Sequence, residues 1–239
     1  MMNRRTGSVE PVSCPIKSRP RQNREIKIKF ETEPETMPAP SLDFWFEFAS
    51  TYSYPAAMRI PTLAKAAGVA VRWQPFLLGP IFKAQGWDNS PFNIYDVKGR
   101  YMWRDLERIC ADLDLPFAKP DVFPQSGLVA ARVALVGLDE GWGETFIPAV
   151  YRAQFAQGHL IADPAVIRDI LVAMNIDPKP VFERTQSDAI KTRLREQTEQ
   201  AQRLGIFGAP SVIANGELFW GNDRLEQAIA FAKRGGSKS

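Results

Sequence analysis

The chain has 239 residues, 45% of them hydrophobic and 24% charged, which is enough for one substantial hydrophobic core. No apolar run approaches the roughly 18 residues of a membrane-spanning helix, so the sequence predicts neither a membrane protein nor a fibrous one. Residues 1–40 contain eight Lys/Arg and five Asp/Glu, whereas the rest of the chain contains 22 of each sign. Because the globular part is neutral, we expect no nucleic-acid partner. Because the apolar runs are short, we expect no membrane partner.

The cysteines and the N-terminal segment indicate the compartment. Cys14 and Cys110 are too few for a disulfide framework, which favours a reducing compartment such as the cytoplasm. Residues 1–40 lack the apolar stretch of a secretion signal, and their acidic residues and prolines are not typical of a transit peptide. We therefore expect a cytoplasmic protein with a disordered N-terminal extension over residues 1–40.

The first predicted elements form a βαβ unit. Residues 42–48 alternate and are rich in aromatic side chains, which predicts a strand. Residues 54–67 then have the pattern of a helix, with Ser50 and Ser53 as candidate caps at its start. A second strand is predicted over residues 69–75, and a helical crossover of this kind makes the two strands parallel.

From residue 76 to about residue 204 the pattern is helical throughout. Gly, Pro and Asp/Asn residues separate the segments, as at helix ends and connecting loops. The six helices predicted there span residues 98–113, 125–139, 144–157, 164–174, 178–184 and 187–204.

Strand character returns near the C-terminus. Residues 211–220 read as a hairpin, with the Asn-Gly pair at 215–216 as its turn. A last helix is predicted over residues 224–233, and Asn222 and Asp223 are candidate caps at its start.

This order of elements predicts an α/β protein with a thioredoxin-like fold that carries an inserted all-helical domain. The thioredoxin-like domain would comprise residues 41–77 and 205–239, and the helical insertion residues 78–204. In that fold the reactive group lies where the first strand meets the first helix. Residues 50–53, Ser-Thr-Tyr-Ser, occupy that junction.

Serine stands at both positions where a redox protein of this fold has cysteine. A Cys-x-x-Cys pair is reactive because the helix dipole and free N–H groups lower the thiol pKa. Serine cannot cycle through a disulfide, and the only histidine, His159, is far away in sequence. The electropositive junction instead suits the thiolate of a bound thiol cofactor, with the Ser50 hydroxyl donating to its sulfur. The alternative is that Ser50 and Ser53 are only helix caps.

The segment 206–211 comes directly before the third strand. In the thioredoxin fold the proline at this place, here Pro210, follows a cis peptide bond, and the residue before it pairs with peptide-like ligands through its backbone. Ala209 could do so through its N–H and C=O groups. The alternative is an ordinary trans turn, since only about 5 to 6% of X–Pro bonds are cis.

These motifs resemble the DsbA-like kappa-class glutathione transferases and, more closely, the glutathione-dependent 2-hydroxychromene-2-carboxylate isomerases. The resemblance covers about residues 42–231. It rests on four motifs: Ser-x-x-Ser at 50–53, Lys98-Gly-Arg-Tyr-Met-Trp-Arg-Asp105, Phe207-Gly-Ala-Pro210 and Trp220-Gly-Asn-Asp-Arg224.

The resemblance implies roles for seven residues and no metal site. The catalytic serine of the family falls on Ser50, and the residue before its cis-proline falls on Ala209, with Pro210 next. The pair that binds the γ-glutamyl group falls on Asn222 and Asp223; there a carboxylate suits an α-ammonium group, and helix N–H groups suit an α-carboxylate. Two further positions that contact glutathione match Asn89 and Lys98, the second through the glycine carboxylate.

Two departures from the family pattern bear on the function. Thr51 stands where the family commonly has proline, which alters local rigidity. Asn222 follows the isomerase-like pattern, whereas kappa transferases tend to have serine there. The resemblance thus implies an isomerase that acts on aromatic keto acids by reversible thiol addition, bond rotation and elimination. Homodimers are common in the family, so the partners it implies are a small aromatic substrate and a second copy of the chain.

Two alternatives remain open at this point. A kappa-type transferase would leave glutathione attached to an electrophile. A non-catalytic thioredoxin-like module would instead use the Ala209–Pro210 edge to hold a peptide.

Aromatic residues of the helical segment could line an aromatic substrate pocket, although such residues more often belong to a core. The six candidates are Phe82, Trp87, Phe92, Tyr95, Tyr101 and Trp103. We interpret His159 as a loop residue and Cys110 as buried and inert.

Overall fold

The computed structural model describes residues 39–235. The predicted disorder of residues 1–40 therefore lies, except for its last two residues, outside the described part of the chain. The described residues form a four-stranded sheet of order β2-β1-β3-β4. Strand β1 pairs parallel with β2 and antiparallel with β3, and β4 pairs antiparallel with β3. The strands are β1 (Ser41–Phe46), β2 (Ala70–Pro75), β3 (Ser211–Ala214) and β4 (Glu217–Trp220).

Ten α-helices surround this sheet in the described residues. In chain order they are α1 (Ser53–Ala67), α2 (Leu78–Ala84), α3 (Pro91–Ile94), α4 (Asp96–Asp112), α5 (Leu128–Glu140), α6 (Gly143–Phe155), α7 (Pro164–Ala173), α8 (Pro178–Thr185), α9 (Asp188–Arg203) and α10 (Leu225–Gly235). A 3-10 turn, Asn222–Arg224, precedes α10. Between residues 39 and 235, none of the helices has the length and apolar character to cross a bilayer.

The alternation of β1 places its side chains on two sides of the sheet. Leu42, Phe44 and Phe46 lie in the main core cluster, together with side chains from α1, α5, α6 and α10. Trp45 lies in a second, smaller cluster with residues of α2 and α9 and the segment before β3. The sheet is thus covered on both faces, which is why the consecutive residues Phe44, Trp45 and Phe46 of β1 are all apolar and buried.

The predicted βαβ unit, helical segment and ββα unit are all present in the predicted order. The hairpin turn has positive φ at Asn215 and Gly216, as an Asn-Gly turn of type I′ requires. Because α5 and α6 share the main core cluster with the sheet, the division into a thioredoxin-like domain and a separate helical domain stays a prediction.

The structure corrects several local predictions. Helices α2 and α3 were missed because they are short, and α5 begins three residues later than predicted. Neither Asn222 nor Asp223 caps a helix: both lie inside the 3-10 turn, which has no side-chain cap. Ser53 is the first residue of α1 rather than its cap, and its hydroxyl has no hydrogen-bond partner in the described part of the chain.

Candidate active site

Ser50 lies at the junction between β1 and α1, as predicted. Its hydroxyl donates a hydrogen bond to the carbonyl oxygen of Ala209 at 2.7 Å and accepts one from the N–H of Ser53 at 3.3 Å. The Ser50 side chain therefore joins the first residue of α1 to the segment before β3, although the N-cap position of α1 is Tyr52. The N–H groups of Thr51 and Tyr52 have no hydrogen-bond partner within residues 39–235, so the start of α1 presents unpaired donors beside Ser50.

The Ala209–Pro210 peptide bond is cis, which confirms the prediction from the sequence. Ala209 is 9% exposed, and its N–H has no partner among the described residues. Its carbonyl oxygen, which we expected to pair with a ligand, already accepts the Ser50 hydroxyl. The carbonyl oxygen of Pro210 accepts from the N–H of Gly221 at 3.0 Å, which fixes the residues after β4 against this edge.

A cavity of about 710 Å³ opens at this junction. Four of the seven predicted site residues line it, namely Ser50, Asn89, Lys98 and Ala209. We call Glu47, Ser50 and Ala209 the floor of the cavity, because all three are buried and come from the ends of the sheet and the segment before β3. The wall is the lining contributed by residues 77–98 and 123–128.

The two predicted ligand residues of the wall are both exposed. The side-chain carbonyl of Asn89 accepts hydrogen bonds from the N–H of Ser90 at 2.7 Å and from the amide of Asn93 at 3.3 Å. The ammonium group of Lys98 lies 4.8 Å from the centre of the Tyr95 ring. Lys98 forms no ion pair within residues 39–235 and is the one cationic residue of the cavity lining.

Pro210, Asn222 and Asp223 do not line the cavity. Asn222 is buried, and its side-chain oxygen accepts a hydrogen bond from Arg59 at 3.0 Å. Asp223 is exposed and pairs with Arg224 at 3.0 Å. The Asn222–Asp223 pair therefore follows the lining residue Trp220 in the chain but lies outside the cavity lining, and we call this position the rim.

Glu47 is a floor residue that the sequence analysis missed. Its side chain is only 6% exposed, and one carboxyl oxygen accepts the N–H of Ala49 at 3.0 Å. Burial raises the pKa of Glu47 from 4.5 to about 8, and the hydrogen bond from Ala49 opposes this only in part. The signal was available: Glu47 is the only charged residue in the aromatic run at 44–48.

Aromatic side chains form much of the cavity lining. Of the six candidates, Phe82, Trp87 and Phe92 line it, whereas Tyr95, Tyr101 and Trp103 do not. Phe82 and Trp87 are paired, with ring centres 5.8 Å apart. A second pair, Phe207 and Trp220 with ring centres 5.0 Å apart, lines the cavity beside the cis-proline and was not predicted as a pocket surface.

The segment 123–127 completes the wall. The amide of Gln125 donates to the carbonyl oxygen of His159 at 3.3 Å, and its oxygen accepts the N–H of Ile161 at 2.7 Å. Gly127 lies against the floor: a Cβ atom there would be 2.8 Å from a carboxyl oxygen of Glu47. His159 is an exposed loop residue, and Cys110 is buried with its thiol pKa raised to about 11, as expected for an inert thiol.

Comparison with known proteins agrees with this architecture. Residues 41–230 match the sequence profile of the DSBA-like thioredoxin domain. A 2-hydroxychromene-2-carboxylate isomerase from Sphingobium xenophagum is 31% identical over 187 residues, covering 78% of this chain and 94% of the relative. Glutathione S-transferase kappa 1 from Caenorhabditis elegans is 26% identical, covering 78% of this chain and 88% of the relative.

A solved structure supports the same fold. The structure of a 2-hydroxychromene-2-carboxylate isomerase superposes with a TM-score of 0.74 at 24% identity, over 81% of this chain and 95% of that chain. The predicted DsbA-like thioredoxin fold with its many helices is thereby confirmed.

Proposed function

The chain belongs to the DsbA-like family that contains the 2-hydroxychromene-2-carboxylate isomerases and the kappa-class glutathione transferases, and we propose that it is a glutathione-dependent isomerase. Its substrates would be aromatic keto acids like 2-hydroxychromene-2-carboxylate. The observation that carries this proposal is the cavity at the start of α1, which brings Ser50 and the cis-proline edge together with Asn89 and Lys98.

The residues of the cavity fit a peptide-like thiol. Its volume of about 710 Å³ lies within the range of roughly 300–1,000 Å³ typical of small-molecule sites. Unpaired N–H groups of Thr51, Tyr52 and Ala209 supply donors for an anionic sulfur and a ligand backbone. Lys98 supplies a cation without a carboxylate partner in the described chain, which suits a ligand carboxylate.

Ser50 and Ala209 would exchange partners when the ligand binds. The Ser50 hydroxyl has a single hydrogen, which it now donates to the Ala209 carbonyl oxygen. An N–H group of a ligand backbone can take that place at Ala209, which releases the Ser50 hydroxyl to donate to the ligand sulfur. The predicted roles of Asn222 and Asp223 at the rim require the same kind of exchange, because Arg59 and Arg224 now hold their side chains.

Bound glutathione would supply a thiolate that adds reversibly to the conjugated double bond of the substrate, so that rotation about the resulting single bond and elimination give the isomer. The protein's own contribution is to orient the two reactants and to exclude water. The aromatic pairs Phe82–Trp87 and Phe207–Trp220 present apolar surface for the aromatic ring of the substrate.

An assay with reduced glutathione and a 2-hydroxychromene-2-carboxylate tests this proposal. We expect isomerisation that requires the thiol, and a product that has the mass of the substrate. A product that carries glutathione would contradict the isomerase and support the second candidate, a kappa-type transferase, which the similarity to the nematode kappa enzyme favours.

Calorimetric titration of glutathione tests the binding part separately. We expect Asp223→Ala to weaken binding several-fold, since an exposed or half-exposed ion pair contributes up to about 1 kcal/mol. Asp121→Ala is the matched control, because Asp121 is exposed and does not line the cavity. No binding by the wild-type protein would contradict the proposal and favour a peptide-binding module at the Ala209–Pro210 edge.

We further propose that the protein acts in the cytoplasm, as a homodimer. Support for this compartment comes from the proposed use of glutathione and from the single, buried thiol of the described residues, Cys110. Light scattering behind size-exclusion chromatography measures the assembly, and a monomeric mass at working concentration would contradict the dimer.

A further inference from the structure

Glu47 has an unusual setting for an acidic residue. It lies three residues before Ser50, and its backbone carbonyl oxygen accepts both the N–H of Ser50 at 3.0 Å and the hydroxyl of Tyr151 at 2.9 Å. The side chain lines the floor of the cavity and is 6% exposed. These two bonds fix the backbone of Glu47 at the β1–α1 junction, and the hydrogen bond from the N–H of Ala49 holds the carboxyl group at the floor.

No cation balances this carboxyl group. Throughout residues 39–235, no Lys, Arg or His lies within ion-pair distance of Glu47. One carboxyl oxygen accepts the N–H of Ala49, and the other, which lies against Gly127, has no hydrogen-bond partner in the described structure. A buried carboxylate without a counter-ion is costly, whereas a neutral carboxylic acid keeps an O–H group that can donate.

The charged and titratable groups around Glu47 do not change this conclusion. Tyr151 of α6 faces it, and burial raises the pKa of that phenol, which therefore stays neutral. From the wall, Asp88 and Lys98 line the same cavity, but both are exposed. Gly127, which contacts the carboxyl group directly, carries no charge.

A thiolate at the start of α1 would share the floor with Glu47. One negative charge there is stabilised by the N–H groups of Thr51 and Tyr52. A second negative charge in the same buried place would be strongly unfavourable, because like charges in one site cannot both ionise easily. The thiolate and the Glu47 carboxylate would therefore destabilise each other.

We propose that Glu47 is held as a neutral acid on the cavity floor, and that the protein binds a thiolate beside Ser50 only while Glu47 keeps its proton. The thiol proton leaves to solvent when the thiol ionises, and the carboxyl hydrogen stays on Glu47, where it can donate to the sulfur. The inference rests on the proposed function. It makes thiolate binding depend on pH through Glu47, because Ser50 and the backbone N–H donors do not titrate.

The test compares glutathione binding by the wild-type protein and Glu47→Gln from pH 6 to pH 9.5. The ratio of the two affinities at each pH cancels the ionisation of the ligand itself. Because Glu47 ionises near pH 8, we expect the wild-type affinity to fall relative to the variant by up to about tenfold per pH unit above that pH. Asp121→Asn, which neutralises an exposed acid outside the cavity lining, is the matched control: the ratio of wild-type affinity to the affinity of this variant should not change with pH.

S-Methylglutathione, which has no thiol, shows whether the effect acts on the sulfur. With this ligand we expect a ratio of affinities that does not change with pH. A ratio of affinities that does not change with pH for glutathione, or that changes in the same way for both ligands, would overturn the inference about Glu47 and leave the proposed function standing. Failure of both ligands to bind the wild-type protein would overturn the proposed function, and the inference with it.

A second measurement needs neither ligand nor activity. Infrared difference spectra between pH 6 and pH 9.5 should contain the band of a protonated carboxyl group that disappears near pH 8 in the wild-type protein and is absent in Glu47→Gln. A wild-type spectrum that lacks this band would overturn the inference even if the variant failed to fold.

Discussion

The floor and the wall of the cavity are built in different ways. The floor residues Glu47, Ser50 and Ala209 are at most 9% exposed. Ser50 joins the other two, because its N–H donates to the carbonyl oxygen of Glu47 and its hydroxyl donates to the carbonyl oxygen of Ala209. The wall consists of the short helices α2 and α3, the first residues of α4 and α5, and loops. Its predicted ligand residues Asn89 and Lys98 are exposed, although Ser90 and Gln125 are buried. A change in the floor, or in a wall residue packed against it such as Gly127, should therefore alter chemistry and stability together. A change in an exposed residue of the wall should alter ligand affinity alone.

The largest effect is expected from Ser50→Ala on the floor. Removing one donor to a developing or bound anion typically lowers kcat by about 10²–10³, and we expect a loss of this size in glutathione-dependent turnover. The matched control is Ser126→Ala, since Ser126 lines the wall and is exposed. Equal turnover rates for the two variants would contradict a special role of the floor residue Ser50 in the reaction.

The next largest effect concerns the pH dependence of stability. Glu47 binds its proton more tightly in the folded protein than in the unfolded chain, so its contribution is present at low pH and is lost as pH rises from about 4.5 to about 8. The free energy of unfolding should fall by up to about 1.4 kcal/mol per pH unit in this range. In Glu47→Gln this dependence of the unfolding free energy on pH should disappear. Urea unfolding at several pH values measures it. If the variant kept the wild-type slope, the slope would come from other titratable groups.

Gly127→Ala sharpens the same comparison by steric means. Its Cβ atom would lie 2.8 Å from a carboxyl oxygen of Glu47 and 3.1 Å from the Cβ atom of Phe48. Overpacking of this kind typically costs about 1–3 kcal/mol, which chemical denaturation measures. Gly79→Ala is the matched control in the wall. A Cβ atom there meets nothing within 4 Å, and alanine favours the helix, so this variant should not be destabilised. Destabilisation by both variants would contradict the steric explanation.

The smallest effect is expected from Lys98→Gln in the wall. An exposed ion pair contributes about 0.2–1 kcal/mol, so glutathione affinity should fall roughly two- to fivefold with kcat unchanged. Added salt should reduce the difference, because exposed charges are screened. Lys83→Gln, on an exposed residue of α2 that does not line the cavity, should change neither affinity nor rate.

Most of the floor could be predicted from the sequence, because local motifs report long-range structure there. The Ser-x-x-Ser junction, the cis peptide bond before Pro210 and the Asn-Gly hairpin each have their own short sequence signal. Glu47 was missed because its importance depends on what buries it. Its burial comes from the folded chain around β1 and from Gly127, about 80 residues later, and no pattern near Glu47 reports that contact.

The wall could be predicted only in part. Helices α2 and α3 have seven and four residues, too few for a hydrophobic period to be recognised. The role of Phe207 and Trp220 as a cavity surface depends on how the turn after β4 folds back on the cis-proline. The three aromatic candidates that lie outside the cavity are on α4 or at its start, where helical spacing alone did not say which face meets the cavity.

The most direct test of the account is an ultraviolet titration of glutathione into the protein at pH 7, which detects the thiolate by its absorbance. The account predicts that the wild-type protein and Ser126→Ala both bring glutathione to its thiolate form on binding, and that Ser50→Ala does so to a much smaller extent. Glutathione that binds as the neutral thiol, or equal thiolate absorbance in all three proteins, would contradict the placement of the sulfur at Ser50.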